Sequence, residues 1–88
     1  MSLTHEQMQH IAGVLAQAET VRAAAALIRQ QLAPLQTLVM DAFDMRRETP
    51  AIEVLDTGRS AYLMATDGHC WMVTPDPALA RALVLTQA

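Results

Sequence analysis

The segment AYLMATDGHCWMVT, residues 61–74, gives the strongest structural signal in this chain of 88 residues. Two apolar runs flank an Asp-Gly pair, which is the pattern of a β-hairpin with a two-residue turn. That register places Met64 opposite Trp71 and Tyr62 opposite Val73 on one face. Both faces of the hairpin are apolar, so we expect the chain's own helices to cover one and a C-terminal segment or a partner to cover the other.

A further strand is predicted just before the hairpin. Ile52-Glu53-Val54-Leu55 is short and partly alternating, and the turn-forming residues Asp-Thr-Gly-Arg follow it at positions 56–59. Together these segments predict a three-stranded antiparallel meander over residues 51–74.

The last segment of the chain is expected to be helical. Asp76-Pro77 has the form of an N-cap followed by proline at the first helical position. Apolar residues then follow at helical spacing. A short C-terminal helix over residues 76–86 is therefore predicted, and a strand over residues 82–85 is the alternative.

The N-terminal half carries an apolar heptad pattern. Thr4 and Gln7 form a capping-box pattern, so a helix is predicted to begin near Thr4. The residues that repeat at alternating spacings of three and four are Ile11, Val14, Ala18, Val21, Ala25, Ile28 and Leu32. Such a helix stripe is typical of a helix that packs against another helix.

The length of this helix indicates a second chain. One helix over residues 4–32 would be about 43 Å long. A globule of this chain length is only about 31 Å across. A helix of that length would overhang its own domain, so we predict a homodimer with the helix stripe as its interface. A break at Gly13 is the alternative.

A second helix is predicted after Pro34. Proline ends the preceding helix and is well suited to the first position of a new one. Residues 4–48 are therefore expected to be helical. The full prediction is one small α+β domain over residues 1–88, with a long N-terminal helix, a second helix, the meander and a short C-terminal helix. Residues 1–3 are interpreted as disordered or as a remnant of cloning.

Composition excludes several classes of protein. Hydrophobic residues make up 52% of the chain and charged residues 17%, with a net charge of −3. The arginines are scattered and lysine is absent, which argues against a nucleic-acid partner. No apolar stretch approaches the roughly 18 residues of a membrane span, and no basic, then apolar, leader is present. We expect a cytoplasmic protein with no membrane partner.

Histidine and cysteine form no catalytic or metal site in this pattern. His69 and Cys70 are adjacent in a predicted strand, so their side chains would point to opposite faces. His10 and Glu6 lie one helical turn apart, but a metal needs three or four ligands. Lone Cys70 excludes an intrachain disulfide.

A carboxylate cluster has an equally simple interpretation. Asp41, Asp44 and Glu48 would share one helix face, where Arg47 would neutralise part of their charge. No glycine-rich phosphate loop is present. We expect no catalysis and no cofactor, and an enzyme built on Asp41, Asp44 and His10 is the least favoured class.

The favoured function is a small non-catalytic interaction protein of bacterial type, with an adaptor, chaperone-like or regulatory role. It would act as a homodimer and keep a second apolar surface for another protein. The candidate patch for a partner or a ligand is Tyr62, Met64 and Trp71. The alternative function is a ligand-sensing module that holds a small apolar molecule between the sheet and the long helix.

Overall fold

The computed structural model describes residues 3–88 and contains two helices and a five-stranded mixed sheet. The helices are α1 (His5–Gln17) and α2 (Val21–Gln31). The strands are β1 (Gln36–Val39), β2 (Ile52–Val54), β3 (Arg59–Thr66), β4 (Trp71–Val73) and β5 (Ala82–Gln87). A 3₁₀ turn, Pro77–Leu79, precedes β5.

The sheet places the C-terminal strand between strands that are distant in sequence. The strand order is β1-β5-β3-β2, and β1 runs parallel to β5 while the other pairs are antiparallel. Met64 pairs with Ala82 of β5 and with Val73 of β4. Strand β4 therefore lies on the same edge of β3 as β2.

The predicted long N-terminal helix is wrong, because the chain leaves the helix at Ala18 and starts another after Thr20. The Thr4–Gln7 capping box is confirmed, and Gly13 lies inside α1. Thr20 is a second N-cap, whose hydroxyl accepts the amide of Ala23 at 3.0 Å. A threonine in this position favours the start of a helix. Two short helices also fit a molecule whose longest extent is 33 Å.

The predicted second helix after Pro34 is also wrong. Residues 36–39 form β1, and turns follow over residues 42–47. The Asp41 carboxylate accepts the amide of Phe43 at 2.8 Å, a local bond that competes with helix formation. Parallel pairing with β5 gives residues 36–39 long-range hydrogen bonds that local spacing does not reveal.

The predicted meander and C-terminal helix are replaced by a single five-stranded sheet. Only Pro77–Leu79 is helical after β4. The alternative of a strand at residues 82–85 matches the observed type of element, and the observed strand extends to Gln87. The five buried residues Ala82, Leu83, Val84, Leu85 and Thr86 explain this outcome. A strand buried on both faces is a nearly continuous apolar run, whereas a short closing helix would have exposed part of it.

The hairpin forms, but its two-residue turn is wrong. Thr66 pairs with Trp71 and Met64 with Val73, which leaves a four-residue loop at 67–70. The register differs by two residues from the prediction, and a shift of two keeps every side chain on its predicted face. Gly68 has a φ of 97°, a conformation that favours glycine.

The main core lies between the two helices and the inner face of the sheet. The largest fully buried side chains are Ile11, Leu15, Ile28, Leu63, Leu83 and Leu85. Leu3 also belongs to this core, and its amide donates to the carbonyl of Pro77 at 2.9 Å. Leu3 is therefore ordered against the core, while Met1 and Ser2 lie outside the described residues.

Arg59, the first residue of β3, joins three parts of the fold. It is only 7% exposed. Its guanidinium donates to the backbone carbonyls of Leu15 at 2.9 Å, Ala18 at 2.5 Å and Glu19 at 2.9 Å. Its Nε donates to the side-chain oxygen of Gln87 in β5 at 2.7 Å. The buried charge thus meets the carbonyls at the C-terminal end of α1, where the helix dipole favours a cation.

We expect Arg59→Met to lower the free energy of unfolding by about 3 kcal/mol, because buried carbonyls lose a charged donor. In a domain of this size that loss corresponds to a fall in Tm of roughly 15 °C. Urea denaturation followed by circular dichroism measures it. Arg22→Met, at an exposed site on α2, is the control. A loss below about 1 kcal/mol would contradict the role assigned to Arg59.

Candidate interaction surface

The outer face of the sheet, opposite the helices, has a covered half. A second small cluster forms there from Met45, Tyr62 and Val84, with Met64 and Val73 packed against it. Met45 belongs to the turns over residues 42–47, so this segment covers the sheet where the sequence predicted a helix. Tyr62 is 6% exposed as a result.

The other half of the outer face is open and forms an apolar groove. Its lining residues, called the outer groove below, are Gln36, Leu38, Met40, Met64, Trp71, Ala82 and Val84. The volume is about 250 Å³. Leu38 and Trp71 are each 51% exposed and Met40 is 39% exposed. None of the lining residues is charged.

The predicted patch of Tyr62, Met64 and Trp71 lies on one sheet face, but its members have different roles. Met64 and Trp71 line the outer groove, whereas Tyr62 is buried in the covered half. Leu38 and Met40 were missed as groove residues because their segment was interpreted as a helix. Because Val39 between them is also apolar, this segment lacks a strict apolar–polar alternation, and the sequence carries no clear signal for their strand face.

The predicted dimer interface, the helix stripe, serves the core of a single chain. Ile11, Ala25 and Ile28 are fully buried, and Leu32 is 9% exposed. The remaining members Val14, Ala18 and Val21 are partly buried against the same core. Because α1 and α2 pack on the sheet, this stripe is already covered within the single chain.

Further grooves lie on the surface of the described residues, and two of them are larger than the outer groove. One, of about 470 Å³, separates α1 from α2 near Gly13 and Leu27, and a hydrogen bond between His10 and Gln31 crosses between these helices. The other, of about 620 Å³, lies between Met8 and the segment that contains Arg47 and Glu48. The first groove holds no nucleophile, and in the second no hydrogen bond joins the Thr49 hydroxyl to the neighbouring Glu48 carboxylate, so the lining residues indicate no reaction.

The residues considered for chemistry are not brought together. His69 and Cys70 are exposed in the 67–70 loop and not in a strand. Asp41 lies just before the turns over residues 42–47 and Asp44 lies within them, so neither is on a helix face. Among residues 3–88, no three His, Cys, Asp or Glu side chains are placed to hold a metal ion. No helix within that range is long and apolar enough to cross a membrane.

No protein-family model, curated protein or solved structure matches this chain.

The loop beside Trp71 contains a carboxylate with a perturbed pKa. Asp67 accepts the amides of Cys70 at 3.0 Å and His69 at 2.8 Å. These hydrogen bonds hold the pKa of Asp67 below its ordinary value of 3.8. The ionised carboxylate therefore stabilises the four-residue loop that presents Trp71.

Acidification should weaken the hydrogen bonds that Asp67 accepts in this loop. Because folding lowers the Asp67 pKa, its stabilisation is complete above the unfolded value and is lost as the pH falls through the folded value. In an NMR titration we expect the Cys70 and His69 amide shifts to move with a midpoint below 3.8. In Asp67→Asn this transition should be absent. A midpoint at or above the ordinary value would contradict the assignment.

Proposed function

We propose that this protein is a small non-catalytic interaction protein of the cytoplasm, with an adaptor, chaperone-like or regulatory role, that acts as a homodimer. Its contact surface is the outer groove and not the helix stripe. The observation that carries the proposal is an open apolar half of a sheet face with Leu38, Met40 and Trp71 on its surface. Exposed apolar groups grouped on one face are typical of association sites.

Charge and area both favour a protein on this surface. The lining side chains are uncharged, so covering them requires no desolvation of an ion. Burying the exposed parts of Leu38, Met40 and Trp71 contributes about 1 kcal/mol each. Tryptophan and methionine are also enriched at protein interfaces. This gain supports a specific contact of modest affinity after the cost of association is subtracted.

A second copy of the chain fits the groove by size and symmetry. A cavity of roughly 150 Å³ accepts a benzene-sized group, so the 250 Å³ groove has room for one large side chain. Trp71 of a second copy is such a group. A two-fold contact would bury both copies of Trp71 in equivalent surroundings. Two sheets would then face each other, with one helical layer outside each.

The alternative function, a ligand-sensing module, needs a different site from the one expected. Fully buried Ile11, Leu15 and Leu63 occupy the space between helices and sheet. The outer groove is then the place for a small apolar molecule. Trp71 lines it, so saturable quenching of Trp71 fluorescence by such a molecule would favour this alternative.

The homodimer is tested by light scattering during gel filtration. We expect the wild-type chain to have twice the mass of one chain, and Trp71→Arg to have the mass of one chain because it brings a charge into the contact. Leu55→Arg is the matched control, since Leu55 is 84% exposed and does not line the groove.

Two outcomes would contradict the proposal. A folded wild-type protein that remains a single chain up to about 1 mM, the weak end of specific association, would refute the homodimer. A Trp71→Arg variant that stays dimeric would show that the dimer does not use the groove.

A further inference from the structure

The outer groove has a side-chain amide on one side and an indole N–H on the other. Gln36 lies in β1 and Trp71 in β4, and the remaining lining side chains are apolar. Both residues are exposed, and Trp71 is 51% exposed. Among residues 3–88, neither the side-chain amide of Gln36 nor the indole N–H of Trp71 makes a hydrogen bond. In a single chain, solvent is therefore the partner of both groups.

The sheet register separates these two groups within one chain. One row of paired residues crosses the groove, and its members are Gln36, Ala82, Met64 and Val73. Three strand spacings place the Cα atoms at the ends of this row about 14 Å apart. Trp71 lies two residues before Val73 in β4, about 7 Å along the strand. The donor and the acceptor of the groove therefore do not pair with each other in the single chain.

Any molecule that covers the groove removes solvent from both groups. A buried donor or acceptor without a partner reduces affinity, because its hydrogen bond to water is lost and not replaced. The indole N–H can only donate, whereas the amide oxygen of glutamine accepts. A purely apolar occupant would leave both Gln36 and Trp71 unpaired. The groove therefore favours an occupant that brings both a donor and an acceptor.

A second copy of the chain brings this combination. Trp71 is the only tryptophan in the sequence, and its exposed part lies at the groove itself. If one copy places its indole in the groove of the other, a two-fold contact repeats the same arrangement in the reverse direction. Each Gln36 then meets an indole, and each indole meets an amide.

We propose that the indole N–H of Trp71 donates to the side-chain amide oxygen of Gln36 in a second copy, and that Gln36 thereby makes the outer groove specific for an indole group. This inference rests on the proposed homodimer and assigns its polar contact. A buried tryptophan commonly pairs its N–H while its ring fills apolar space. The observation that carries the proposal is a single side-chain amide in a groove whose other lining residues are apolar or aromatic.

Removing the acceptor tests the contact. Gln36→Met keeps the length of the side chain but has no amide, so the Kd of the homodimer should rise at least about tenfold because two hydrogen bonds are lost. Gln30→Met is the matched control, since Gln30 is exposed on α2 and does not line the groove. Its Kd should stay within about twofold of the wild-type value. Sedimentation equilibrium measures each Kd, and circular dichroism confirms that each variant is folded.

A double-mutant cycle assigns the donor. Trp71→Phe keeps an aromatic ring and removes the N–H, and it should raise the Kd about thirtyfold in the wild-type background. In the Gln36→Met background the same change should raise the Kd only about threefold, because the acceptor is already absent. Loss of packing alone would give equal factors in the two backgrounds.

Indole and N-methylindole test the specificity of the groove without a dimer, since they differ at the N–H. NMR titration of the wild-type protein, followed at the Leu38 and Ala82 amides, should give a Kd for indole at least about fivefold below that for N-methylindole. A competing second copy affects both probes equally, so it does not change this ratio. In Gln36→Met the two Kd values should agree within about twofold.

The outcomes distinguish failure of this inference from failure of the homodimer. A dimer in which the two substitutions are additive, or equal binding of the two probes, would overturn the hydrogen bond and leave the homodimer in place. A wild-type protein that stays a single chain but prefers indole through Gln36 would refute the homodimer and support the specificity of the groove. A single chain without this preference would refute both.

Discussion

The guanidinium of Arg59 is the interaction on which the arrangement of this fold depends. It holds carbonyls of Leu15, Ala18 and Glu19 where α1 ends, and it contacts Gln87 at the end of β5. A buried cation without such acceptors would be strongly unfavourable. The end of α1, the start of β3 and the end of β5 must therefore meet at one point. This requirement places the helices on the inner face of the sheet, so that, among residues 3–88, only the segment around Met45 covers the outer face.

Local signals in the sequence were reliable only where the structure itself is local. The Thr4–Gln7 box and the faces of the hairpin were predictable because each depends on residues close in sequence. The break at residues 18–20 was not predictable, because the heptad spacing continues through it. The break depends on Thr20, which caps the start of α2, and on distant Arg59, which binds a carbonyl at the end of α1. The same limit explains β1, whose helix-like spacing is overruled by pairing with β5.

The candidate surface could be predicted in part for the same reason. Met64 and Trp71 share a sheet face through the hairpin pairing. A register shift of two residues leaves each side chain on the same face, so this part of the prediction holds. Leu38 and Met40 join them only through β5, which lies between β1 and β3. The helix stripe, predicted as a dimer interface, packs into the core of the single chain. Leu38, Met40 and Trp71 are exposed on the outer face, whereas other large apolar side chains, such as Leu27 and Leu55, are exposed elsewhere.

The central position of β5 affects how the chain can fold during synthesis. Its residues 82–87 are the last of the five described strands to be synthesised, yet they separate β1 from β3. Until they emerge, β1 lacks its only partner strand among the described residues, and one long edge of β3 is unpaired. Unpaired edges of this kind are prone to aggregation in incomplete chains. The sheet can therefore close only after translation has delivered these residues, and an arrested nascent chain would be a natural substrate for chaperones.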